Sequence, residues 1–489
     1  MKQYKTDMQR IAVFIGCWVC ALVSSAQDVD SILMHVFGGP QDDRGARIAL
    51  LEGGDLLLTG TTNSTTASEN HAWVLRVDSN AQPIWSTTVE DVPLLQAVDA
   101  IEHSNGSLTI LGMRYANAAD GYDWGWYHLS SDGALIGTTT WGSSSWDLPV
   151  RCWNRNDTMW TLGTSYATGN GDIRWMQHGE EADAWSNVTS GEIHATAVEE
   201  IAVDGVWTGD TLVVASTLVS AANRARVDAF KPDTDELLWT YESSWEEPTE
   251  AVAMDASESG VLLLMNVVTA DGDRLAFAHF AWDGTLLLEN IPGSGFDIQG
   301  RSIHWYSPTD FATVAWTEQL GLGGEEVLFS RWSSNGGFWQ GGPSFGSPWD
   351  DAVHHMEQDA SGRLWFLGRT DGYSNGRDDF YLLGLPDADV GGYVFDEEIF
   401  VGDSALTIPD AIRTQPLHIA PNPTRQWTEV IGWNARDAWM LVDFSGRSVR
   451  TGMGSQVSVE GLPPGTYYWI GQAFRMTKPM RAIPIQVVR

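Results

Sequence analysis

The sequence predicts an all-β protein: a seven-bladed β-propeller followed by a small C-terminal β-sandwich of Ig-like type. Three observations support this fold class. An apolar run of strand length occurs seven times, at intervals of 50 to 53 residues. Tryptophan and glycine are abundant, with 25 and 50 residues in a chain of 489. The charge balance changes abruptly near residue 404, which indicates a second domain.

The repeated run is first seen at residues 55–60 (Asp-Leu-Leu-Leu-Thr-Gly). A fixed period near fifty is typical of a repeat architecture. Each repeat holds four segments of strand character, and Asx-Gly pairs, which favour a type I′ turn, join the third segment to the fourth. These pairs are Asp132-Gly133, Asp283-Gly284 and Asn335-Gly336. Four short antiparallel strands in each of seven repeats predict a propeller.

The N-terminus, residues 1–26, is predicted to be a secretory signal peptide. A basic start precedes an apolar segment at residues 11–23, and small residues follow as a cleavage site. The apolar segment is shorter than the roughly 20 residues that a membrane span needs. The alternative is an N-terminal anchor helix. Two of the three cysteines lie in this segment, so Cys152 remains alone and is expected to be a buried structural thiol.

The propeller is assigned to residues 27–400, and its N-terminal strand is assigned to the last blade. Residues 31–37 match the fourth strand of a repeat, and the seventh repeat lacks an obvious fourth strand after Leu385. The N-terminal strand is therefore predicted to complete that blade, which removes an open sheet edge. The alternative is that residues 393–401 supply the strand.

The first repeat carries a glycine-rich pattern made of Gly38-Gly39, Asp42-Asp43, Gly53-Gly54, Thr59-Gly60-Thr61 and the segment from Asp78 to Trp85. This pattern resembles the propeller repeats of exported bacterial surface proteins. Repeats three to six depart further from it. The resemblance implies the propeller fold and an exported protein, but it implies no ligand.

After a linker at residues 401–415, residues 416–489 are predicted to form the second domain. Alternating apolar runs with Ser-Gly and Pro-Gly turns predict a small β-sandwich. Its charge differs from that of the propeller: residues 27–404 contain 16 Lys and Arg against 58 Asp and Glu, whereas residues 405–489 contain 9 against 5.

This second domain resembles the C-terminal sorting domain of type IX secretion substrates. The matching residues are Pro421, Asn422, Pro423, Gly446, Leu462, Pro463, Gly465 and Tyr467. Trp427, Trp433 and Lys478 depart from the family pattern. The resemblance implies passage through the periplasm, recognition by the type IX machinery, transport across the outer membrane, and release or attachment at the cell surface. The alternative is an ordinary terminal Ig-like module.

Five acidic residues stand about 10 to 13 residues before the apolar run of their repeats, at the entrance to the strand that lines a propeller's channel. They are Asp43, Asp147, Glu250, Asp297 and Asp351. If they converge, they form a candidate Ca²⁺ site, because Ca²⁺ takes six to eight oxygen ligands. The alternative, which we favour, is that each carboxylate caps its own turn.

The sequence contains few signs of chemistry. It has no His-Glu-x-x-His, Gly-x-Ser-x-Gly, phosphate-loop or Cys-x-x-Cys motif, and no convergent set of Arg or His is visible. The formal net charge of −36 argues against partners such as nucleic acid or an anionic membrane. Tryptophans in predicted loops are candidates for stacking on sugars: Trp124, Trp126, Trp146, Trp245 and Trp349.

These observations favour a secreted or cell-surface protein that binds a glycan, a protein or a matrix component without catalysis. One alternative is an extracellular polysaccharide hydrolase or lyase that uses carboxylates at the propeller channel. A second alternative is a structural spacer of the surface layer. No catalytic residue can be named from the sequence, and Ca²⁺ is the one cofactor that its acidic residues suggest.

Overall fold

The structure is a computed structural model of the chain. It describes residues 33–386 except 66–68, 118–120, 156–157, 180–187, 194–196, 235, 271, 293–296, 319–324, 346–349, 373 and 375–376. Beyond these it describes residues 400–401, 418–420, 427–431, 438–442, 448–453, 456–463, 465–472 and 480–487. Within these ranges the secondary structure is entirely β, and no helix there is long and apolar enough to cross a membrane. The chain divides into two compact units, Met1–Leu406 and Thr407–Arg489.

The first unit is a seven-bladed β-propeller, as the sequence predicts. Each blade is an antiparallel sheet in which sequential strands pair. Blade 1 consists of β2 (Asp43–Leu50), β3 (Leu56–Thr62), β4 (His71–Val77) and β5 (Pro83–Val89). Blade 2 consists of β6 (Leu94–Glu102), β7 (Leu108–Tyr115), β8 (Tyr122–Leu129) and β9 (Leu135–Trp141). Blade 3 consists of β10 (Asp147–Arg155), β11 (Thr158–Ser165), β12 (Asp172–Gly179) and β13 (Val188–Ile193). Blade 4 consists of β14 (Glu199–Thr208), β15 (Thr211–Val219), β16 (Arg224–Lys231) and β17 (Glu236–Glu242). Blade 5 consists of β18 (Thr249–Ser257), β19 (Gly260–Thr269), β20 (Gly272–Phe280) and β21 (Leu286–Asn290). Blade 6 consists of β22 (Gln299–Ser307), β23 (Asp310–Thr317), β24 (Glu326–Ser333) and β25 (Phe338–Phe345).

Blade 7 joins the two ends of the propeller. It consists of β26 (Asp351–Gln358), β27 (Leu364–Thr370), β28 (Asp379–Leu385) and the N-terminal strand β1 (Leu33–Phe37), which pairs antiparallel with β28. A short strand, β29 (Phe400–Val401), adds to the far side of β1 in parallel. The ring is thus closed by backbone hydrogen bonds between segments from opposite ends of the unit.

The blades stack through their middle strands, which are buried on both faces because each sheet lies between two others. In β15, for example, eight of nine residues are buried. Apolar clusters fill the gaps between neighbouring sheets. Between blades 7 and 1 the indole of Trp73 packs on the ring of Phe380, with centroids 4.5 Å apart. The apolar runs of the sequence are therefore explained by stacking.

The Asx-Gly hairpins differ from the predicted type I′ turns. Gly133, Gly284 and Gly336 have positive φ, but the Asx residues before them do not. A type I turn followed by a left-handed glycine satisfies this pattern and is also a common hairpin connection. The turns serve packing as well, because Trp85 of blade 1 lies against Gly133 of blade 2 and donates its indole N–H to Ser131 O (3.1 Å).

The first strand of every blade, which we call the inner strand, contains a β-bulge at the same place in its pairing with the second strand. The residue opposite the bulge is glycine in four blades, and at three of these the bulged backbone approaches closely. A Cβ on Gly60, Gly163 or Gly368 would lie 2.1, 2.3 or 1.7 Å from a carbonyl oxygen of the inner strand. The glycine that ends several apolar runs is thus required by the bulge.

Among the described residues of the second unit there are seven strands in two sheets. Three strands form one sheet, β30 (His418–Ala420), β31 (Trp427–Ile431) and β34 (Gln456–Ser458), and four form the other, β32 (Ala438–Val442), β33 (Ser448–Met453), β35 (Gly465–Gln472) and β36 (Met480–Val487). Of the predicted sorting residues, Pro421, Asn422, Pro423 and Gly446 lie outside the described residues. Leu462 and Pro463 precede β35, and Tyr467 donates its hydroxyl to Pro463 O (2.9 Å).

Candidate functional site

The bulges of the inner strands place two rings of side chains on the channel of the propeller. Directly after the bulge, blades 1 to 7 carry Arg47, Asp99, Arg151, Asp204, Ala253, Ser302 and His355. Two residues further on, they carry Ala49, Ile101, Trp153, Val206, Asp255, His304 and Glu357. Because alternate residues of a strand face opposite sides, the residues between the rings point into the blade interfaces. Ile48, Cys152 and Met356 are among them, and all are buried.

The first ring contains a cluster of two arginines and two aspartates, which we call the axial cluster: Arg47, Asp99, Arg151 and Asp204. Arg47 Nε lies 3.3 Å from Asp99 Oδ1, and Arg151 Nε lies 3.3 Å from Asp204 Oδ1. Arg47 of blade 1 also reaches Asp204 of blade 4, with Nη2 and Oδ1 3.9 Å apart. Side chains from blades that are not neighbours can meet in this way because all four point to the axis.

The carboxylates of the axial cluster also join neighbouring blades. Asp99 Oδ2 accepts the N–H of Cys152 in blade 3 (2.9 Å), and Asp204 Oδ2 accepts the N–H of Met254 in blade 5 (3.0 Å). Their Oδ1 atoms accept the N–H of the next residue in their own strands, Ala100 and Gly205 (2.9 Å each). Burial raises the pKa of Asp99 to about 6 although Arg47 opposes the shift, and burial raises the pKa of Asp204 in the same way.

Similar inter-blade hydrogen bonds continue around the rest of the ring. Ser302 Oγ accepts the N–H of Met356 (3.2 Å), and His355 Nδ1 accepts the N–H of Ile48 (3.2 Å). His355 therefore links blade 7 to blade 1, and burial lowers its pKa well below the usual value. These polar groups of the first ring hold the blades together.

The second ring has one apolar side and one polar side. Ala49, Ile101, Trp153 and Val206 form the side from blades 1 to 4, and Asp255, His304 and Glu357 form the side from blades 5 to 7. Asp255 Oδ2 lies 3.0 Å from His304 Nδ1 and accepts the N–H of Trp305 (2.7 Å). Burial would lower the pKa of His304, but Asp255 and Glu357 outweigh it and the pKa is raised. Burial raises the pKa of Glu357 and outweighs the nearby His304, which lowers it.

A cavity of about 530 Å³, which we call the mouth pocket, opens at the end of the channel where the inner strands finish. Blades 1 to 5 all contribute to its wall. The lining includes Ala49, Leu50, Glu52, Ile101, Glu102, Trp153, Asn154, Arg155, Val206, Trp207, Asp255 and Ala256. This volume and this mixture of aromatic and polar groups are typical of small-ligand sites.

Two tryptophans form a corner in the wall of the mouth pocket. The rings of Trp153 and Trp207 are 6.2 Å apart at an interplanar angle of 85°. The guanidinium of Arg155 lies 4.0 Å from the centroid of the Trp207 ring and donates to Gly209 O, so it is held by blade 4. On the neighbouring wall, Glu102 Oε2 accepts the N–H of Glu52 (2.7 Å). The pocket thus presents aromatic faces beside oriented polar groups.

The opposite end of the channel carries a separate network of ion pairs. Asp378 accepts from Arg44 Nε (2.7 Å) and Arg369 Nη1 (2.9 Å), and Arg369 Nη2 reaches Glu325 Oε2 (2.7 Å). His354 Nδ1 lies 2.6 Å from Gly45 O. These groups pair with one another across blades 6, 7 and 1.

Three of the predicted Ca²⁺ ligands are buried within their own blades. Asp43, Asp147 and Asp351 have no exposed surface and begin the inner strands of blades 1, 3 and 7. Asp43 Oδ2 accepts the N–H of Gly39 (2.7 Å), and Asp147 Oδ2 accepts the N–H of Ser143 (2.6 Å). Both bonds are of the turn-capping kind that the sequence offered as the alternative.

The other two predicted ligands, Glu250 and Asp297, both lie near Asp273. Asp297 Oδ1 accepts the N–H of Asp273 (2.7 Å). Burial, Asp297 and Glu250 raise the pKa of Asp273. Across the described part of the chain, no group of three His, Cys, Asp or Glu residues is arranged to hold a metal ion. The Ca²⁺ site stays a prediction.

The sequence reasoning missed the arginines and histidines of the channel. The statement that no Arg or His set converges is wrong, because Arg47 and Arg151 meet at the axis and His304 and His355 line the same channel. A signal was present: these residues stand six to eight positions before the apolar run of their repeats. Trp124 and Trp126 were also placed wrongly in loops, since both are fully buried in β8.

The chain shows only distant similarity to known proteins. No protein-family model and no curated protein sequence matches the chain. The β-propeller domain of the Trilobed protease from Pyrococcus furiosus is similar over 75% of this chain and 98% of its own, with 9% identity and a TM-score of 0.43. Drosophila Plexin A, in complex with Semaphorin 1b, covers 73% of this chain and 87% of its own, with 8% identity and a TM-score of 0.42. An ulvan lyase covers 69% and 78%, with 10% identity and a TM-score of 0.33.

Proposed function

We propose that the protein is an extracellular binding module that takes its ligand in the mouth pocket. The observation that carries the proposal is the pocket itself: a cavity of about 530 Å³ with walls from five blades, two tryptophans and several polar side chains. The charged groups deeper in the channel are engaged with one another and with backbone N–H groups, so they are suited to holding the blades. The groups at the mouth are the ones placed to meet a ligand from solvent.

A pocket-filling variant tests this proposal. Asn154→Trp is expected to abolish ligand capture on an array of glycans and extracellular matrix proteins, because the indole occupies the cavity. Ile136→Trp is the matched control, since Ile136 is 64% exposed on the outer strand β9 and does not line the pocket. Equal capture by both variants, or no capture by the wild type, would contradict the proposal and favour the structural-spacer alternative.

The second candidate function is polysaccharide hydrolysis or elimination by carboxylates of the channel. Asp255 lines the pocket, and the raised pKa of Glu357 is the property expected of a proton donor. However, Asp255 accepts the N–H groups of Ala256 (2.8 Å) and Trp305 (2.7 Å) and pairs with His304. A carboxylate committed to three donors is better suited to orienting His304. Turnover of a captured polysaccharide that Glu357→Gln abolishes would favour the enzymatic function.

We further propose that the protein is exported by type IX secretion, with residues 1–26 as the signal peptide and residues 416–489 as the sorting domain. The support is the resemblance of the C-terminal segment to such domains. Deletion of residues 416–489 is expected to leave the propeller in the periplasm, whereas the full chain reaches the cell surface or the medium. Cell fractionation with an antibody against the propeller measures this. Surface delivery of the truncated chain would contradict the proposal.

A further inference from the structure

The lining of the mouth pocket combines apolar and polar groups. Ile101, Trp153 and Val206 are apolar, whereas Glu52, Glu102 and Asp255 are carboxylates. A ligand that matches this lining needs one apolar face and one face rich in hydrogen-bonding groups. A sugar ring has this character, because its axial C–H bonds form an apolar patch and its hydroxyls project from the edge.

The tryptophan corner provides the stacking surface for such a ring. Trp153 and Trp207 are half-buried, line the cavity and stand nearly perpendicular. A pyranose that lies on one indole face therefore meets the edge or face of the other. Rigid indoles anchor ligands at a low entropy loss, and tryptophans at the centre of an interface carry much of its binding free energy.

The polar lining favours hydroxyl groups over acidic groups. Three lining residues are carboxylates, Glu52, Glu102 and Asp255, against one lining arginine, Arg155. Arg155 is already held by Trp207 and Gly209 O. Carboxylates accept hydrogen bonds from hydroxyls, but together with the net charge of −36 they repel an anionic ligand.

From these features, and resting on the proposed function, we propose that the mouth pocket binds a neutral oligosaccharide and excludes uronate-containing and sulfated chains. One sugar stacks in the corner of Trp153 and Trp207. Its hydroxyls donate to Glu102, and Asn154 supplies a further donor and acceptor. The cavity volume admits a segment of a few sugars.

Binding of matched hexasaccharides by the intact protein tests this inference. Cellohexaose, xylohexaose and mannohexaose are compared with hexagalacturonate by calorimetric titration at low and high ionic strength. At least one neutral chain is expected to bind, with an affinity that salt hardly changes, and hexagalacturonate is expected not to bind. Trp153→Ala and Trp207→Ala are expected to weaken the neutral ligand about tenfold or more.

Further variants show whether a loss of binding comes from misfolding, and they measure the effect of the charge of the lining on ligand choice. Trp146→Ala is the matched control, because Trp146 is 54% exposed outside the pocket and its removal is expected to leave the affinity unchanged. Asn154→Ala keeps the aromatic packing and is expected to weaken binding, with thermal melting as a check of the fold. Glu52→Gln removes one negative charge from the lining and is expected to reduce the discrimination against hexagalacturonate.

The outcomes separate this inference from the proposed function. Preferred binding of hexagalacturonate, or neutral binding that neither tryptophan variant weakens, overturns the neutral-sugar inference. Protein binding in the pocket that Asn154→Trp abolishes, with no sugar bound, also overturns it but leaves the binding-module function standing. If Asn154→Trp weakens the capture of no ligand of any class, both the neutral-sugar inference and the binding-module function are wrong.

Discussion

Replacing Asp99 with alanine is expected to lower the free energy of unfolding by about 3–5 kcal/mol, the usual effect of removing one partner from a buried ion pair. The side chain of Asp99 is 5% exposed. Its removal takes away a carboxylate that balances the positive charges of Arg47 and Arg151 at the axis. It also leaves the N–H of Cys152 without its acceptor. Urea denaturation of the wild type and the variant measures the loss.

Asp210→Ala is the matched control for this experiment. Asp210 also forms an ion pair, with Lys231, but its side chain is 71% exposed, so the pair is screened by solvent and contributes little. A double-mutant cycle of Asp99 and Arg47 isolates the pair itself. If Asp99→Ala unfolds at the same urea concentration as Asp210→Ala, the axial cluster does not stabilise the propeller.

The second large effect concerns acid sensitivity and His178. Burial lowers the pKa of His178 to about 4, from about 6.5 in the unfolded chain. Between these values the unfolded state holds a proton that the folded state lacks, so this residue makes stability fall as the pH falls from 6.5 towards 4. The loss between pH 7 and pH 4.5 is expected to be about 2 kcal/mol from this residue.

His178→Phe is expected to remove this part of the pH dependence. The phenyl ring occupies the site against Trp126, whose ring centroid is 4.5 Å from that of the imidazole, and it cannot take up a proton. The quantity to compare is the difference in unfolding free energy between pH 7 and pH 4.5. Burial also lowers the pKa of the nearby His128 to about 4, so part of the acid sensitivity remains.

Met176→Leu serves as the control, since Met176 is buried in the same blade interface and does not titrate in this range. It is expected to shift stability equally at both pH values. An unchanged pH dependence in His178→Phe would mean that His178 is protonated in the folded protein. The buried carboxyls act in the opposite direction: the raised pKa of Asp99 makes its contribution fall as the pH rises from about 4 to 6.

The blades could be predicted from the sequence because their signal is local. The middle strand of every blade must be apolar on both faces, so each repeat carries a run such as Leu56–Thr62. The number of runs then predicts the number of blades. The turn type was not predicted correctly, because Asp132-Gly133 is compatible with two turns, and the geometry of the flanking strands decides between them.

The axial cluster and the mouth pocket were not predictable in the same way. Arg47 and Asp204 are distant in sequence, and they meet only because a closed ring of seven inner strands turns both towards one axis. The inner-strand bulge also changes which residues face the channel, and nothing in the local sequence marks it unambiguously. Similarly, nothing in the sequence distinguishes Trp153 and Trp207 from the many tryptophans that pack between blades. Only the closed ring places these two side chains in one pocket.

The axial cluster also constrains how this protein can evolve. Propellers are known with roughly four to eight blades, and a repeat is a unit that gene duplication copies as a whole. An added blade would widen the channel and separate Arg47 of blade 1 from Asp204 of blade 4, which are now 3.9 Å apart. The duplicated chain would then bring unbalanced charges to its axis. A change in blade number is therefore expected to destabilise the ring, whereas substitutions at the mouth of the channel leave the axial cluster in place and can alter what the protein binds.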